Sequence, residues 1–463
     1  MKLVTHWRHL AAITVGLGLT AAALMAGTPA RPKESAVKLA ESAKSDKLIV
    51  HEWGTFTSFS GSNGVQLDFR PLVSEDLPGF VLDRLDQSGE SKFLKARIRA
   101  RVRMETPVTY FYTDRERTVR ASVEFPQGLL TEFYPPVFTM DRPDKEQTQI
   151  GNSKLDWGEI DLIPAAAFAP NVKDESAKAW LQQVIEERVL PQQGSPSNHY
   201  YHARETDSAF VHARFTKSPE APFRPVGDFI EKFLFYRGVG KFEQPLNVVV
   251  SEDGQFSVTN SGSQPIRSLF RVTVEDKSIT VSELNEVAAG KTARFPATEQ
   301  QVTNEQLQSL VEAALVREQL YPREATAMVK TWADSWFAEQ GTRIFYMVPR
   351  ETTDKVLPLT ISPAPDETVR VLVGRVEVMP PSVEKKLTEV VRLHGKQRDA
   401  LVKKQKELNL TEPVSLAMPT AIAQLGRLAE PALVRVQQLC RDESVSREAA
   451  TLLSEYHQSL MNH

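Results

Sequence analysis

A histidine and a glutamate stand side by side in the run HEWGTFTS, residues 51–58. Imidazole and carboxylate groups act as general bases or as metal ligands. Neighbouring side chains of a strand point to opposite faces of its sheet, so His51 and Glu52 serve one site only where the strand has ended. The alternative is a structural first strand with Trp53 and Phe56 in the core. We take His51 and Glu52 as candidate catalytic residues.

A second group of charged residues follows in two separate segments. Arg204 and Asp207 stand close together, and Arg237 precedes Gly238 in a glycine-flanked turn. An arginine in such a turn presents a planar fork to a carboxylate, either that of Asp207 or that of a ligand. A buried structural Arg–Asp pair is the alternative. These three residues complete the candidate catalytic set.

Four arginines occupy alternate positions between apolar residues: Arg97, Arg99, Arg101 and Arg103. We expect residues 97–104 to form a strand, on which this spacing places all four arginines on one face. A row of like charges can bind an anionic glycan or a phosphate-bearing polymer, so these are candidate ligand-binding residues. The alternative is a structural role in which acids of adjacent strands, such as Glu124 and Glu132, pair with them.

Metal and cofactor signals are weak. His199, His202 and His212 could form a metal site, but nothing fixes their spacing, and polar surface or aromatic packing is the alternative. Cys440 is the only cysteine, which excludes an intramolecular disulfide and a cysteine-based zinc site. The chain has no His-Glu-x-x-His helix, nucleophile elbow, phosphate loop or dinucleotide fingerprint. We predict no metal and no cofactor.

The part of the chain that carries the candidate catalytic residues is predicted to form mostly short strands. Residues 48–245 alternate between β-branched or aromatic residues and turn residues, which indicates a β-rich domain. Residues 177–189 interrupt the strands with apolar residues at helical spacing and predict an amphipathic helix.

A second region, residues 246–380, combines strands with two helices. The strands up to residue 295 have the spacing of an Ig-like antiparallel sandwich. Thr303 and Gln306 predict a capping box at one helix start, and Pro322 suits the first turn of the next helix, with Gly341 at its end. The apolar positions of residues 368–378 change parity after Gly374, which predicts a β-bulge there.

The two ends of the chain have different compositions. Residues 1–30 carry a positive start, an apolar run and small residues, the marks of a cleaved secretory signal, with an uncleaved membrane anchor as the alternative. Residues 31–47 indicate a solvated linker. Residues 381–463 are helical, and their end resembles HEAT-type repeats in a piece too short to stand alone. We therefore expect this tail to pack on the β body or on a partner.

The chain also resembles an uncharacterised family of exported bacterial proteins with a HEWGTFTS-type opening motif. The matching segments are residues 51–58, 104–112, 155–158, 203–207, 231–240, 331–350, 357–365 and 370–377. The resemblance implies export and a β-rich body, but it supplies no catalytic assignment. The HEAT-like tail lies outside it.

These observations predict a mainly β (α+β) protein with antiparallel sandwich-like domains, inserted helices and a helical C-terminal tail. With 56 basic and 59 acidic residues, nothing in the total charge favours nucleic acid. We expect a periplasmic or secreted protein that binds an envelope polysaccharide or an envelope protein, and that contacts a membrane only if the N-terminal segment is uncleaved. The alternative is a hydrolase acting on an envelope polymer. The oligomeric state is left open.

Overall fold

The strand that carries the HEWGTFTS run lies in the middle of a ten-stranded sheet. The structure is a computed structural model that describes residues 46–72, 77–85, 91–141, 148–164, 199–216, 225–276, 278–411 and 414–462. The predicted signal at residues 1–30, most of the predicted linker and the predicted helix at residues 177–189 lie outside the described residues.

The strands in the first half of the described chain are β1 (Ile49–Ser60), β2 (Leu82–Asp83), β3 (Val102–Tyr112), β4 (Arg117–Phe125), β5 (Gly128–Tyr134), β6 (Thr139–Met140), β7 (Ser153–Ile163), β8 (Phe210–Phe215), β9 (Gly227–Glu231) and β10 (Leu234–Gly240). Those that follow are β11 (Leu246–Val250), β12 (Phe256–Asn260), β13 (Ile266–Glu275), β14 (Ser278–Val287), β15 (Thr292–Arg294), β16 (Gln300–Val302), β17 (Gly341–Met347), β18 (Leu359–Ser362) and β19 (Glu367–Val378).

The helices are α1 (Ser91–Arg97), α2 (Asn304–Arg317), α3 (Pro322–Ala333), α4 (Arg350–Val356), α5 (Pro381–Glu407), α6 (Thr420–Ala423), α7 (Ala429–Leu439) and α8 (Glu443–Asn462). Short 3-10 turns cover His199–Arg204 and Gly426–Leu428, and a π turn follows α3. The capping box of Thr303 with Gln306 and the first-turn position of Pro322 are confirmed. In the described part of the chain, no helix is both long and apolar enough to cross a bilayer.

The strands of the described residues form three sheets. The large sheet has the order β16-β14-β13-β17-β19-β1-β3-β10-β5-β2, and β1 pairs with β19 in parallel and with β3 in antiparallel. A second sheet contains β18, β4, β7, β8 and β9, with β6 beside β7, and a third contains β11, β12 and β15. The large sheet takes strands from both sides of residue 245, and the domain boundaries stay a prediction.

Both faces of the large sheet are covered. One face packs against the two smaller sheets through residues such as Phe56, Trp157 and Leu372. The other face packs against α2 and α3 through residues such as Trp53 and Trp332. The expected mainly β, sandwich-like α+β fold is thereby confirmed. Because β1 is buried on both sides, His51 and Glu52 point into two separate parts of the core.

The helical tail packs on the β body, as one of the two expectations had it. Phe59 and Phe69 share a buried cluster with Val391, Leu433 and other residues of α5, α7 and α8. Ion pairs support the same interface, since Arg70 contacts Glu430 of α7. The C-terminal helices therefore bury their apolar stripe against the chain itself.

Three local predictions are wrong. Residues 97–104 are not one strand, because α1 extends to Arg97 and β3 begins only at Val102. No bulge occurs at Gly374, because β19 keeps its register with both β1 and β17. The apolar positions change parity there because β19 is buried on both faces. The strands of residues 246–295 do not form one separate Ig-like sandwich, since β13 and β14 belong to the large sheet.

Candidate functional site

His51 is fully buried and bonded to a glutamate from the helical face. Its Nδ1 lies 2.7 Å from a carboxylate oxygen of Glu324, which is also fully buried on α3. The same carboxylate accepts a hydrogen bond from the Tyr112 hydroxyl at 2.7 Å and one from the backbone N–H of Tyr321 at 2.8 Å. Within the described residues, Nε2 of His51 has no hydrogen-bond partner. The imidazole is thus oriented by a carboxylate and has one free nitrogen.

Glu52 points into the opposite face of the sheet and meets a different partner. Its carboxylate accepts a hydrogen bond from Nε of Arg370 at 2.7 Å and from the Thr109 hydroxyl at 3.1 Å. The Tyr236 hydroxyl also donates to it, and burial followed by the charge of Glu52 raises the pKa of that phenol. Arg370 extends the network to Asp354 at 2.8 Å. The charge of Glu52 is therefore balanced inside the core.

Arg204 and Glu231 form a separate buried pair. Nε and Nη2 of Arg204 donate to the carboxylate of Glu231, the latter at 2.7 Å. Burial raises the pKa of Glu231, and the charge of Arg204 opposes that rise only in part. The rings of Tyr200 and Tyr201 lie near the guanidinium. Both side chains of the pair are buried.

Arg237 pairs with Glu132 on the neighbouring strand β5. Nη2 of Arg237 donates to Glu132 at 3.0 Å, and Nζ of Lys95 lies 2.8 Å from the same carboxylate. Burial alone would raise the pKa of Glu132, but the charges of Arg237 and Lys95 outweigh it and hold the pKa at about 2. The carboxylate is therefore strongly bound in its ionised form.

Asp207 is the exposed member of the candidate set and pairs with Arg323 at the start of α3. Each of the five candidates thus pairs with a residue outside the set, and the structure does not gather them into one site. Their catalytic role stays a prediction. All the partners lie far away in sequence, with Glu324 placed 273 residues after His51. No local spacing could have identified them.

The three histidines considered as metal ligands are also separate. His202 pairs with Glu205, and His212 pairs with Asp228, each at 2.8 Å. The ring of His199 lies 5.5 Å from that of Trp332. In the part of the chain that the structure describes, no group of three or more His, Cys, Asp or Glu side chains is arranged to hold a metal ion.

The four candidate ligand-binding arginines divide into two kinds. Arg103 is buried and lies 3.4 Å from Glu105, and Arg101 pairs with Asp68 and Glu243. Arg97 and Arg99 are exposed at the end of α1 and just after it, and Nη2 of Arg99 lies 3.9 Å from the carboxylate of Glu430. Their role in ligand binding stays a prediction, and Arg97 and Arg99 lie beside an open groove.

The groove beside Arg97 and Arg99 has a volume of about 590 Å³. Its lining residues are Leu94, Arg97, Ile98, Arg99, Thr148, Gln149, Ile150 and Lys241. We call it the cationic groove, because three of these side chains are basic and none is acidic. Lys241 is exposed and has no ion pair within the described residues. The sequence pattern did not indicate Lys241, because only the pairing of β10 with β3, in which Gly240 lies opposite Val102, brings Lys241 to this groove.

Comparisons with known proteins add little to this geometry. No family model and no curated protein matches the chain. Solved structures that are similar to it include the yeast delta-COP-I mu-homology domain complexed with a Dsl1 WxWxV peptide, at 6% identity and a TM-score of 0.23. The same yeast domain without the peptide has a TM-score of 0.22, and both comparisons cover 72% of this chain and 96% of that chain. Similarity at this level supports no conclusion about fold or function.

Proposed function

We propose that this chain is an exported, envelope-associated protein that binds an anionic polysaccharide in the cationic groove. The observation that carries the proposal is the composition of the groove lining. It contains the basic side chains of Arg97, Arg99 and Lys241 and no acidic one, and Lys241 has no ion pair within the described residues. Exposed guanidinium and ammonium groups bind carboxylates, sulfates and phosphates through charge-assisted hydrogen bonds.

The composition of the groove supports a sugar polymer as the ligand. Thr148 and Gln149 add neutral hydrogen-bonding groups beside the basic residues, and Leu94, Ile98 and Ile150 add apolar surface. Hydroxyl groups both donate and accept hydrogen bonds, so a sugar that also carries acidic groups matches this mixture.

The N-terminal segment and the C-terminal helices extend the proposal to the location of the protein and to a second class of partner. Residues 1–30 direct the chain across the membrane, and we place the mature protein in the periplasm or outside the cell. The C-terminal helices resemble HEAT-type repeats, whose stacked helices commonly present surfaces to other proteins. An envelope protein is therefore the second class of partner.

Binding of an acidic polymer by the full chain tests this proposal. Polygalacturonate is the acidic probe and dextran is the neutral control, each titrated by isothermal calorimetry at low and at high salt. We expect saturable binding of polygalacturonate that weakens as salt screens the charges, and no binding of dextran. Equal binding of both polymers, or of neither, would contradict the proposal.

A hydrolase acting on an envelope polymer is the second candidate, and the His51–Glu324 pair favours it. A carboxylate on Nδ1 and a free Nε2 are the arrangement of a histidine that accepts a proton. Release of reducing ends from polygalacturonate or from isolated cell-wall polymer would support this candidate. A His51→Asn variant that keeps its fold should then lose the activity. An unchanged rate in this variant would rule out His51 as the base.

A further inference from the structure

The C-terminal end of α5 carries a sequence pattern that none of the sites above uses. Asn409 is followed by Leu410 and Thr411, and it is the only asparagine of the chain with a serine or threonine two residues later. In exported proteins, Asn-x-Ser/Thr with x other than proline is the acceptor pattern for a glycan on the asparagine side chain. An acidic residue, Glu407, stands two positions before Asn409.

The structure places this whole pattern on the surface. Glu407, Leu408, Asn409, Leu410 and Thr411 are all exposed. Within the described residues, neither the side-chain amide of Asn409 nor the hydroxyl of Thr411 has a hydrogen-bond partner. Both polar groups are therefore available to an enzyme that approaches from solvent.

Asn409 also ends the helix, and this role explains only part of the pattern. Its φ of 52° lies in the left-handed region that asparagine and glycine adopt most readily. Its backbone N–H donates to the Lys406 carbonyl at 3.2 Å, and that of Leu410 donates to the Gln405 carbonyl at 3.0 Å. These two bonds end a helix equally well with glycine, so they require no side-chain amide and give no role to Thr411.

The end of α5 opens at low cost. None of residues 399–411 is buried, whereas Val391 and His394 earlier in the same helix pack in the interior. A segment with few buried contacts unfolds locally with little loss of free energy. The last turns of α5 can therefore leave the helix and enter the active site of another enzyme while the rest of the tail stays folded.

From these observations we infer that Asn409 is a glycosylation site, with a polyprenyl-diphosphate-linked oligosaccharide as the sugar donor. A bond forms between the side-chain nitrogen of Asn409 and the anomeric carbon of the first sugar. The bond from that carbon to the diphosphate oxygen breaks, polyprenyl diphosphate leaves, and the amide loses one proton.

The two flanking side chains serve recognition by the transferring enzyme. The Thr411 hydroxyl holds the segment by a hydrogen bond, and the Glu407 carboxylate holds it by a charge-assisted bond to a basic residue of that enzyme. The inference rests on the export that we propose above, and it is independent of the cationic groove.

The purified, folded full chain is incubated with a single-subunit bacterial oligosaccharyltransferase and a donor of known sugar mass, and the intact mass is then measured. We expect the wild-type chain to gain the mass of one glycan, which peptide fragmentation locates at Asn409. Asn409→Gly keeps a residue that ends a helix and should gain no glycan. The matched control Asn63→Gly changes an exposed turn asparagine outside the pattern and should gain one glycan.

Variants of the flanking residues separate recognition from a structural role. Thr411→Val removes the hydroxyl at nearly constant shape and should abolish transfer, whereas Thr411→Ser keeps the hydroxyl and should retain transfer. Glu407→Gln should slow transfer about tenfold, because a charge-assisted hydrogen bond becomes a neutral one. Both positions are exposed, so urea midpoints should equal that of the wild-type chain.

Two results in this reaction would overturn the inference. The first is no gain of mass by the folded wild-type chain, whether or not a free peptide of residues 405–411 is modified. The second is transfer to Thr411→Val at the wild-type rate, which would show that the pattern is not recognised. The reaction contains no cells, so its outcome does not depend on export. Cell fractionation tests export separately, and a chain found only in the cytoplasm would contradict the proposed export and modification in the cell.

Discussion

The large sheet and the cationic groove use charged residues in opposite ways. In the sheet, Glu52 and Glu132 are buried, and each has at least one arginine within hydrogen-bonding distance. In the groove, Arg99 and Lys241 are exposed, and the lining contains no carboxylate. Removing a charge should therefore affect stability in the first region and ligand affinity in the second. Burial and partner decide the role of a charged residue, and its type alone does not.

The largest effect should come from breaking a buried pair in the sheet. The variant Glu52→Ala leaves the guanidinium of Arg370 buried without its main partner, and such a loss costs about 3–5 kcal/mol. We expect a correspondingly lower free energy of unfolding in urea. The control is Glu124→Ala, which breaks an exposed pair with Lys154 and should cost less than about 0.5 kcal/mol. Equal losses of unfolding free energy in the two variants would show that the buried pair contributes no more than the exposed one.

Lowering the pH should lower the free energy of unfolding through protonation of Glu132. The pKa of this carboxyl is about 2 in the folded chain against 4.5 for the ordinary group. A lowered folded pKa adds stability above the unfolded pKa, and this stability is lost as pH falls from about 4.5 towards 2. The contribution is on the order of 3 kcal/mol. The slope of unfolding free energy against pH in this window should be smaller in Glu132→Gln than in wild type, and an identical slope would refute the assignment.

A smaller loss should follow from filling the space above Gly374. A Cβ added at Gly374 would lie 2.1 Å from a ring carbon of Tyr346. Overpacking of this kind costs about 1–3 kcal/mol, which calorimetry would detect as a lower melting temperature for Gly374→Ala. Gly79→Ala is the matched control, because nothing lies within 4 Å of its added Cβ. An unchanged melting temperature for Gly374→Ala would mean that Tyr346 moves aside freely.

The smallest effect on stability should come from the groove. Lys241 is exposed and has no ion pair within the described residues, so Lys241→Glu should change the free energy of unfolding by less than about 0.5 kcal/mol. Urea denaturation of this variant beside Glu52→Ala compares the two regions directly. A large loss for Lys241→Glu would show that the groove residues are structural as well.

Local patterns predicted local features of this fold and failed where distant contacts decide. The capping box at Thr303 depends on residues three apart, and it was predicted correctly. The strand expected over residues 97–104 failed, because Arg97 ends a helix whose Lys95 is held by Glu132 from another strand. The bulge expected at Gly374 failed because alternation carries no information about faces when a strand is buried on both sides.

The candidate site residues show the same difference between local patterns and distant contacts. His51 and Glu52 were expected to point apart on a strand, and strand geometry alone gave that result. Their partners Glu324 and Arg370 come from distant elements, so no spacing in the sequence could reveal them.

The affinity of Lys241→Glu for polygalacturonate, measured by calorimetry on the full chain, tests the central claim most directly. The account predicts binding weaker by about tenfold, since one charge-assisted contact becomes a repulsion. The same measurement on Arg294→Glu, which changes an exposed charge that does not line the groove, should give the wild-type affinity. Equal affinities for Lys241→Glu and wild type would show that the cationic groove is not where the polymer binds.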